Sequence, residues 1–280
     1  MAYIVAGGHR LEYEWIGGAG DAREHREARQ TVVFLHEGLG SASMWKDFPQ
    51  RVAAATGCRG LVYSRYGYGR SDPLTEPRST RFMHDEATRA LPELLDALSI
   101  DAPILFGHSD GGSIALLHAA LSGRAVRSLV VMAPHVMVEA LSIASIAAAK
   151  RTYQTTDLRT RLARYHDDPD STFGGWNDIW LHPEFSSWNI EDCLPAIRCP
   201  VLAIQGSDDE YGTMEQIDRI ARGAVNAQVE LVKLPDCGHS PHRDQPDQVI
   251  AAVTRFIGPP PGSTDDSCQP VGLSNRVASR

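Results

Sequence analysis

A serine flanked by glycines stands between an apolar run and a segment with helical spacing. The pattern is Gly107-x-Ser109-x-Gly111, which follows the run PILF and precedes SIALLHAALSG. A serine at a sharp strand-to-helix turn has strained backbone geometry, and flanking glycines let neighbouring backbone approach without a Cβ clash. The helix N-terminus also favours developing negative charge. We predict that Ser109 is a nucleophile; the alternative is a glycine-rich turn with an incidental serine.

A serine hydroxyl needs an adjacent base, and that base needs an orienting acid. Downstream of Ser109, the run VLAIQG is followed by Ser207-Asp208-Asp209-Glu210, and the run VELVKL is followed closely by Gly238-His239. Open α/β sheets place their sites at the carboxyl ends of strands. The order serine, acid, histidine therefore predicts His239 as the general base and an orienting acid among residues 208–210. In the alternative, these acids are solvated residues that cap the next helix.

Six short apolar runs, rich in β-branched residues, predict strands that are covered on both faces. They span residues 31–35, 60–64, 103–107, 128–133, 201–206 and 229–234, with segments of helical spacing between them. This alternation predicts a doubly wound, mostly parallel α/β sheet. Two alternating runs around Gly7-Gly8 predict an antiparallel hairpin at the edge of the sheet.

One interval separates two predicted strands by far more than a crossover helix requires, and we interpret it as an inserted helical cap. The predicted core covers residues 1–133 and 200–258, the cap covers 134–199, and residues 259–280 form a flexible C-terminal tail rich in Pro, Gly, Ser and Asp. The cap contains Trp176, Trp180 and Trp188. These tryptophans either join the cap to the core or line an apolar substrate pocket.

Over roughly residues 1–258 the chain resembles the α/β-hydrolase family, through the motif around Ser109, the acids after VLAIQG and the pair Gly238-His239. The resemblance implies an α/β-hydrolase sheet with an inserted helical cap. In that family the acid commonly stands three residues after the glycine that ends its strand, which here is Asp209, with Asp208 as the runner-up. The family's histidine usually follows a glycine, which agrees with His239.

Acyl transfer also needs N–H donors aimed at the oxyanion. The resemblance assigns one donor to Asp110, after the nucleophile, and the other to Gly38 in the segment His36-Glu37-Gly38, with Glu37 as the alternative. Glu37 departs from the family, which has a glycine at that position. We expect its side chain to be either a structural acid paired with Arg65 or a functional acid near the pocket.

Three other polar residues attract attention. His135 follows the strand predicted at 128–133 and is expected to be a packing or loop residue, with a position facing the nucleophile as the alternative. His242 is expected at the pocket rim or on the surface. Ser64 opens a glycine-punctuated loop where the family usually has an aspartate, and this loop is expected to be scaffold.

The composition limits the partners. A net charge of −8 without a basic stripe disfavours nucleic acid. There is no secretory leader and no run of about 18 apolar residues, so a cytoplasmic protein without membrane contact is expected. We expect no metal and no cofactor, because neither metal-ligand spacing nor a phosphate-binding G-x-x-x-x-G-K-[ST] loop is present. The 5 cysteines are expected to be reduced thiols.

The predicted function is hydrolysis of a small carboxylic ester or lactone, through an acyl-enzyme on Ser109. The expected partner is a small-molecule substrate with an apolar or aromatic group, and a homo-oligomer is left open. The same triad in this family also cleaves carbon–carbon bonds, so a hydrolase of ring-cleavage diketo acids is an alternative. A non-catalytic protein of this fold that binds a small ligand is the alternative from another class.

Overall fold

Eight strands form one sheet in the computed structural model, which describes residues 1–17 and 30–258. The tail predicted at 259–280 lies outside the described residues. The strands are β1 (Ala2–Ala6), β2 (His9–Ile16), β3 (Thr31–Leu35), β4 (Arg59–Tyr63), β5 (Ile104–His108), β6 (Ser128–Met132), β7 (Val201–Gly206) and β8 (Val229–Leu234). Their order in the sheet is β1-β2-β4-β3-β5-β6-β7-β8. Only β1–β2 and β2–β4 pair antiparallel, which confirms the predicted mostly parallel sheet.

The central strands are apolar at nearly every position because both faces of the sheet are covered. Successive side chains of a strand point to opposite faces. In β3, Val33 and Leu35 accordingly pack into one hydrophobic cluster, and Val32 and Phe34 pack into a second cluster. A strand buried on both sides shows no alternation of apolar and polar residues, which explains the continuous runs in the sequence.

The antiparallel edge is a tight hairpin, as the sequence predicts. Gly7 and Gly8 form the turn between β1 and β2, with φ of +62° and +82°. Two consecutive residues with positive φ match the twist of the flanking strands, and glycine adopts this conformation without steric cost.

Ten α-helices are described: α1 (Phe48–Thr56), α2 (Phe82–Asp85), α3 (Leu91–Ala97), α4 (Asp110–Leu121), α5 (Ala140–Thr155), α6 (Leu158–Leu162), α7 (Pro169–Trp180), α8 (Glu215–Gly223), α9 (Pro241–Asp244) and α10 (Pro246–Ile257). Short 3-10 helices span Ala42–Trp45, Pro183–Ser187 and Glu191–Ala196.

A π-helical turn at Glu86–Ala90 joins α2 to α3, although the sequence shows one segment of helical spacing there. Pro92 lies in the first turn of α3. Proline lacks an N–H group, and its ring crowds the carbonyl four residues earlier in an α-helix. The wider π turn before Pro92 relieves this conflict.

The segment between β6 and β7 holds α5, α6, α7 and two of the 3-10 helices. Its side chains bond to two loops that leave the carboxyl ends of strands. Thr172 Oγ1 donates to the carbonyl of Gly67 at 2.9 Å, and Ser142 Oγ donates to the carbonyl of Tyr211 at 2.5 Å. The segment therefore lies over the carboxyl edge of the sheet.

Within the described ranges, no helix is long and apolar enough to cross a bilayer. Cys58, Cys193, Cys199 and Cys237 carry free thiols. The remaining cysteine, Cys268, lies outside those ranges.

Candidate active site

Ser109 occupies the sharp turn between β5 and α4. Its backbone has φ of +54° and ψ of −120°, a strained conformation for a residue with a side chain. A Cβ added to Gly107 would lie 2.2 Å from the Gly111 carbonyl oxygen, and one added to Gly111 would lie 2.1 Å from the Leu35 carbonyl oxygen. Both glycines are therefore required by the close approach of backbone. The turn presents the serine at the carboxyl edge of the sheet.

A continuous hydrogen-bonded line starts at this serine. The Ser109 Oγ lies 3.0 Å from Nε2 of His239, and Nδ1 of His239 lies 2.8 Å and 2.9 Å from the two carboxylate oxygens of Asp209. Asp208 is exposed, and its carboxylate accepts a hydrogen bond from the neighbouring Ser207 hydroxyl. The structure thus brings Asp209 to the histidine, and Asp208 points elsewhere.

Further donors fix the carboxylate of Asp209. One oxygen accepts from the amides of Tyr211 at 2.8 Å and Gly212 at 3.1 Å, and the other accepts from Gln205 Nε2 at 2.6 Å. Gln205 is fully buried. Gln205 and Tyr211 were not among the residues predicted from the sequence. The signal for Gln205 was present, because it is the one polar side chain in the run VLAIQG.

These contacts set the protonation of the pair. Burial raises the pKa of Asp209, but its hydrogen bond to His239 and the charge of that ring outweigh burial, so the pKa is lowered. Burial lowers the pKa of His239, but the hydrogen bond and charge of Asp209 outweigh it, so the pKa is raised. The carboxylate stays ionised and holds the proton on Nδ1. Nε2 of the neutral ring is then free to accept the proton of Ser109.

The loop after β3 carries Gly38 close to the nucleophile turn. Among the described residues, neither the amide of Gly38 nor that of Asp110 donates a hydrogen bond; Asp110 is the first residue of α4, where N–H groups have no intrahelical acceptor. A Cβ at Gly38 would lie 2.2 Å from Nε1 of Trp176. The indole therefore packs directly against this loop.

The predicted pairing of Glu37 with Arg65 through their side chains is wrong. The Arg65 Nη2 donates instead to the backbone carbonyl of Glu37 at 3.1 Å. The Glu37 carboxylate lies 3.4 Å from Nδ1 of His108 and 3.3 Å from Nη2 of Arg243. Burial raises the pKa of Glu37, but the contacts with His108 and Arg243 lower it by more. The pKa therefore lies well below its usual value. The acid joins residues that are distant in the chain.

His36 fixes the same loop. Its Nε2 accepts from the Arg65 amide at 3.1 Å, so Nδ1 carries the proton and donates to the Glu37 carbonyl at 2.7 Å. The Arg65 Nη2 lies 3.4 Å from that Nδ1, which in this tautomer has no lone pair to accept a hydrogen bond. Burial and the charge of Arg65 lower the pKa of His36, which keeps the ring neutral.

Two of the three predicted tryptophans contact the residues that frame the serine. Besides the contact of Trp176 with Gly38, Trp180 Nε1 donates to Oδ1 of Asp110 at 3.2 Å. Trp188 stacks on Phe185, with ring centroids 5.5 Å apart, and lies behind Trp180.

The two further histidines are both buried. The His135 ring centroid is 4.9 Å from that of Trp180 and 6.0 Å from that of His239, so His135 borders the site. Burial lowers the pKa of His135 to about 3, which keeps this ring neutral. The expectation for His242 is wrong, because its ring packs 4.9 Å from His108 and 5.1 Å from Trp45 behind the nucleophile turn.

Ser64 stands where an aspartate was expected from the family resemblance, and Glu12 on β2 brings a carboxylate to this place. The hydroxyl of Ser64 donates to Oε1 of Glu12 at 2.5 Å and accepts from the Ala42 amide at 2.9 Å. The same Oε1 accepts from the Arg70 amide at 3.0 Å. A buried acid from a neighbouring strand thus anchors the loop after β4.

Across residues 1–17 and 30–258, no group of three or more His, Cys, Asp or Glu side chains has an arrangement that could hold a metal ion.

Comparisons with known proteins identify the family and agree with the fold. The sequence pattern of the alpha/beta hydrolase family matches residues 32–252. The sn-1-specific diacylglycerol lipase of Danio rerio is 24% identical over 280 residues, covering 89% of this chain and 83% of the relative. A 2-hydroxy-6-oxo-6-phenylhexa-2,4-dienoate hydrolase of Comamonas testosteroni is 22% identical, covering 81% and 87%. The crystal structure of the enol-lactonase from Burkholderia xenovorans LB400 has a TM-score of 0.69 at 19% identity, covering 91% of this chain and 99% of that one.

Proposed function

Because this chain belongs to the alpha/beta hydrolase family and is a hydrolytic enzyme, we propose that it hydrolyses a small carboxylic ester or lactone through an acyl-enzyme on Ser109. The observation that supports this most strongly is the line from the Ser109 hydroxyl through His239 to Asp209, with gaps of 3.0 Å and 2.8 Å. A nucleophile, a base and an orienting acid in hydrogen-bond contact are the parts that acyl transfer needs.

In the proposed mechanism, His239 Nε2 takes the proton of Ser109 as Oγ attacks the acyl carbon. The negative charge that develops on the carbonyl oxygen is stabilised by the amides of Gly38 and Asp110. The imidazolium, stabilised by Asp209, then gives its proton to the leaving alcohol oxygen, and the acyl-enzyme forms. A water molecule attacks the acyl-enzyme in the same way, which releases the carboxylic acid and restores the serine.

We further propose that residues 134–199 act as a cap over this site. Their contacts with the loops at Gly67 and Tyr211 support that role. Trp176 and Trp180 would present apolar surface beside the oxyanion donors, which favours a substrate with an apolar or aromatic group. His135, whose ring is neutral, would line the wall near His239.

A second candidate is cleavage of a carbon–carbon bond in a ring-cleavage diketo acid. It is favoured by relatives such as the 2-hydroxy-6-oxononadienedioate/2-hydroxy-6-oxononatrienedioate hydrolase of Cupriavidus pinatubonensis, which is 27% identical over 259 residues. Assays of vinylogous diketo acids against p-nitrophenyl esters separate the two candidates, because only a carbon–carbon hydrolase turns over the first class with the higher kcat/KM.

Labelling with an active-site-directed fluorophosphonate tests the proposal. We expect one adduct by intact-protein mass spectrometry, mapped to Ser109 by peptide analysis and absent in Ser109→Ala. Ser207→Ala is the matched control, because that hydroxyl is exposed beside the acid and makes no contact with His239; it should label like the wild type. A wild-type protein that is folded by circular dichroism yet takes no label would contradict the hydrolase and favour a non-catalytic ligand-binding protein.

A further inference from the structure

Arg65 is a buried charge without a contacting counter-ion. Arg65 follows β4 in the chain and is only 3% exposed. Nη2 donates to the Glu37 carbonyl, whereas Nε and Nη1 have no hydrogen-bond partner, and no carboxylate of the described residues forms an ion pair with this guanidinium. Charged side chains are almost never fully buried unless they are paired, and a guanidinium cannot lose its proton. Such a group calls for an anion.

A second arginine and a tyrosine complete the cluster. The guanidinium carbons of Arg65 and Arg78 lie 5.0 Å and 4.8 Å from the ring centroid of Tyr68. Tyr68 is 2% exposed, and its hydroxyl has no partner. Arg78 donates from Nη2 to the carbonyl of Tyr66 at 2.9 Å, while its buried Nε is also without a partner. We call Arg65, Tyr68 and Arg78 the arginine cluster.

Asp110 is an acid whose charge interacts with both arginines of the cluster. It is 1% exposed; Oδ1 accepts from Trp180, and Oδ2 has no partner. Burial raises the pKa of Asp110, and the charges of Arg65 and Arg78 reduce this shift without cancelling it. Burial also raises the pKa of Glu86, the other acid that interacts with these arginines. Burial thus disfavours the ionised form of both acids, whereas the two positive charges are permanent.

The unpartnered groups therefore favour a ligand that brings acceptors and negative charge. The unpartnered donors are N–H groups on both arginines and the Tyr68 hydroxyl. The unpartnered acceptor beside them is one oxygen of Asp110. A carboxylate supplies two acceptor oxygens and matches the fork of a guanidinium.

The position of the arginine cluster connects it with the proposed reaction. Arg65 bonds to Glu37, which precedes the proposed oxyanion donor Gly38, and Asp110 follows the nucleophile. His239, which would protonate the leaving group, makes no hydrogen bond or ring contact with the cluster. The cluster therefore lies beside the loop of one proposed oxyanion donor, and these donors would face the carbonyl oxygen of the acyl group.

We propose that Arg65, Tyr68 and Arg78 bind a carboxylate carried by the acyl part of the substrate, so that the enzyme selects half-esters of dicarboxylic acids or lactones with an equivalent acidic group. This inference rests on the proposed function and specifies its substrate class.

The first experiment compares matched esters. Mono-p-nitrophenyl succinate, glutarate and adipate are assayed against the neutral p-nitrophenyl esters of butanoic, pentanoic and hexanoic acid. We expect at least one half-ester to have a kcat/KM about 10- to 100-fold above its neutral partner, the range of one or two charge-assisted hydrogen bonds. Arg65→Gln and Arg78→Gln should each lower that ratio about tenfold, mainly through KM. The proposal would be overturned if the wild type hydrolysed every half-ester and its neutral partner with equal kcat/KM. It would also be overturned if both variants kept the wild-type ratio of these kcat/KM values.

Two controls keep the comparison interpretable. Arg70 lies in the same loop, but its guanidinium is exposed and pairs with Asp167 at 3.0 Å. Arg70→Gln should therefore leave the ratio unchanged. Arg65→Lys retains the charge without the fork and should retain part of the preference, which covers the case in which Arg65→Gln does not fold.

A binding measurement separates failure of this inference from failure of the proposed function. Calorimetry with the Ser109→Ala protein needs no turnover. Glutarate or adipate should bind more tightly than pentanamide, and Arg78→Gln added to Ser109→Ala should remove the difference. If no ester is hydrolysed but this difference is seen, the esterase proposal fails and the carboxylate subsite stands. If esters are hydrolysed but the dicarboxylates do not bind preferentially, the cluster has a structural role only.

Discussion

Replacement of Asp209 by asparagine keeps the size of the side chain and removes its charge. In the structure the two oxygens of Asp209 accept from the amides of Tyr211 and Gly212, from Gln205 Nε2 and from His239 Nδ1. All of these partners are donors. An amide NH2 group in place of either oxygen therefore faces at least one of them, and the acceptor that holds the proton on Nδ1 of His239 is weakened.

The consequence for activity is large. If Nδ1 accepts from the new NH2 group, Nε2 carries the proton and cannot accept one from Ser109. The corresponding change in serine proteases lowers kcat about 10⁴-fold, which corresponds to about 5.4 kcal/mol of activation free energy. Stability should change less, because a hydrogen bond contributes about 1 kcal/mol net. For a chain of 280 residues that amounts to a shift in Tm of about 2 °C.

The assay is steady-state hydrolysis of a p-nitrophenyl ester, with Tm measured on the same samples. Asp208→Asn is the matched control, since the neighbouring carboxylate is exposed and, within the described residues, hydrogen-bonds to the Ser207 hydroxyl and not to His239. We expect its kcat to stay within about twofold, as for most surface substitutions. Folded Asp209→Asn protein that keeps more than a tenth of the wild-type kcat would refute the assignment of the acid. So would an equal loss in Asp208→Asn.

Three further predictions concern pH and packing. Since the pKa of His239 is raised from 6.5, kcat/KM should fall on acidification with a midpoint above pH 6.5, and a midpoint below it would contradict the charge pairing of the base. Gly111→Ala places a Cβ 2.1 Å from the Leu35 carbonyl and should cost about 3 kcal/mol or more in urea unfolding, whereas Gly174→Ala, inside α7 with its nearest atom at 3.9 Å, should be neutral or stabilising. The pKa of Glu37 is lower in the folded state than in the unfolded chain. Its carboxylate therefore stabilises the fold at pH values above the unfolded-state pKa, and this stability is lost as the pH falls through the folded-state pKa. Glu37→Gln should be less stable than the wild type at pH 7, and the difference should shrink as the pH falls below about 4.

The fold was accessible from the sequence because burial on both faces leaves a local signal. The runs at 31–35, 201–206 and 229–234 coincide with β3, β7 and β8 to the residue. The turn at Ser109 was equally local, since the motif and its flanking strand and helix are contiguous. The choice of Asp209 as the orienting acid was harder to predict, because Asp208 has the same side chain one residue away. Which of the two acids reaches His239 depends on the path of the loop after β7, and the path is fixed in part by bonds from Gln205 and Tyr211.

Partnerships across the chain could not be predicted. Glu12 and Ser64 are 52 residues apart in the sequence and meet only because β2 pairs with β4. Charge complementarity made Arg65 one of two expectations for the Glu37 side chain, but the path of the loops places the carboxylate beside His108 and Arg243. Opposite charges are plentiful in any sequence, so charge alone does not identify the pair; the three-dimensional path of the chain does.

Glu37 links the loop after β3 to Arg65 on one side and to His108 on the other. Its carbonyl accepts from Arg65, and its carboxylate faces His108, the residue before Ser109. Glu37→Gly would remove the carboxylate that faces His108 and Arg243, while a change at Arg65 would release the loop that carries Gly38. The proposed carboxylate subsite and the loop of the proposed oxyanion donor Gly38 therefore share the same contacts. For this reason the selectivity of Arg65 variants has to be expressed as a ratio between matched esters, because their absolute rates combine both effects.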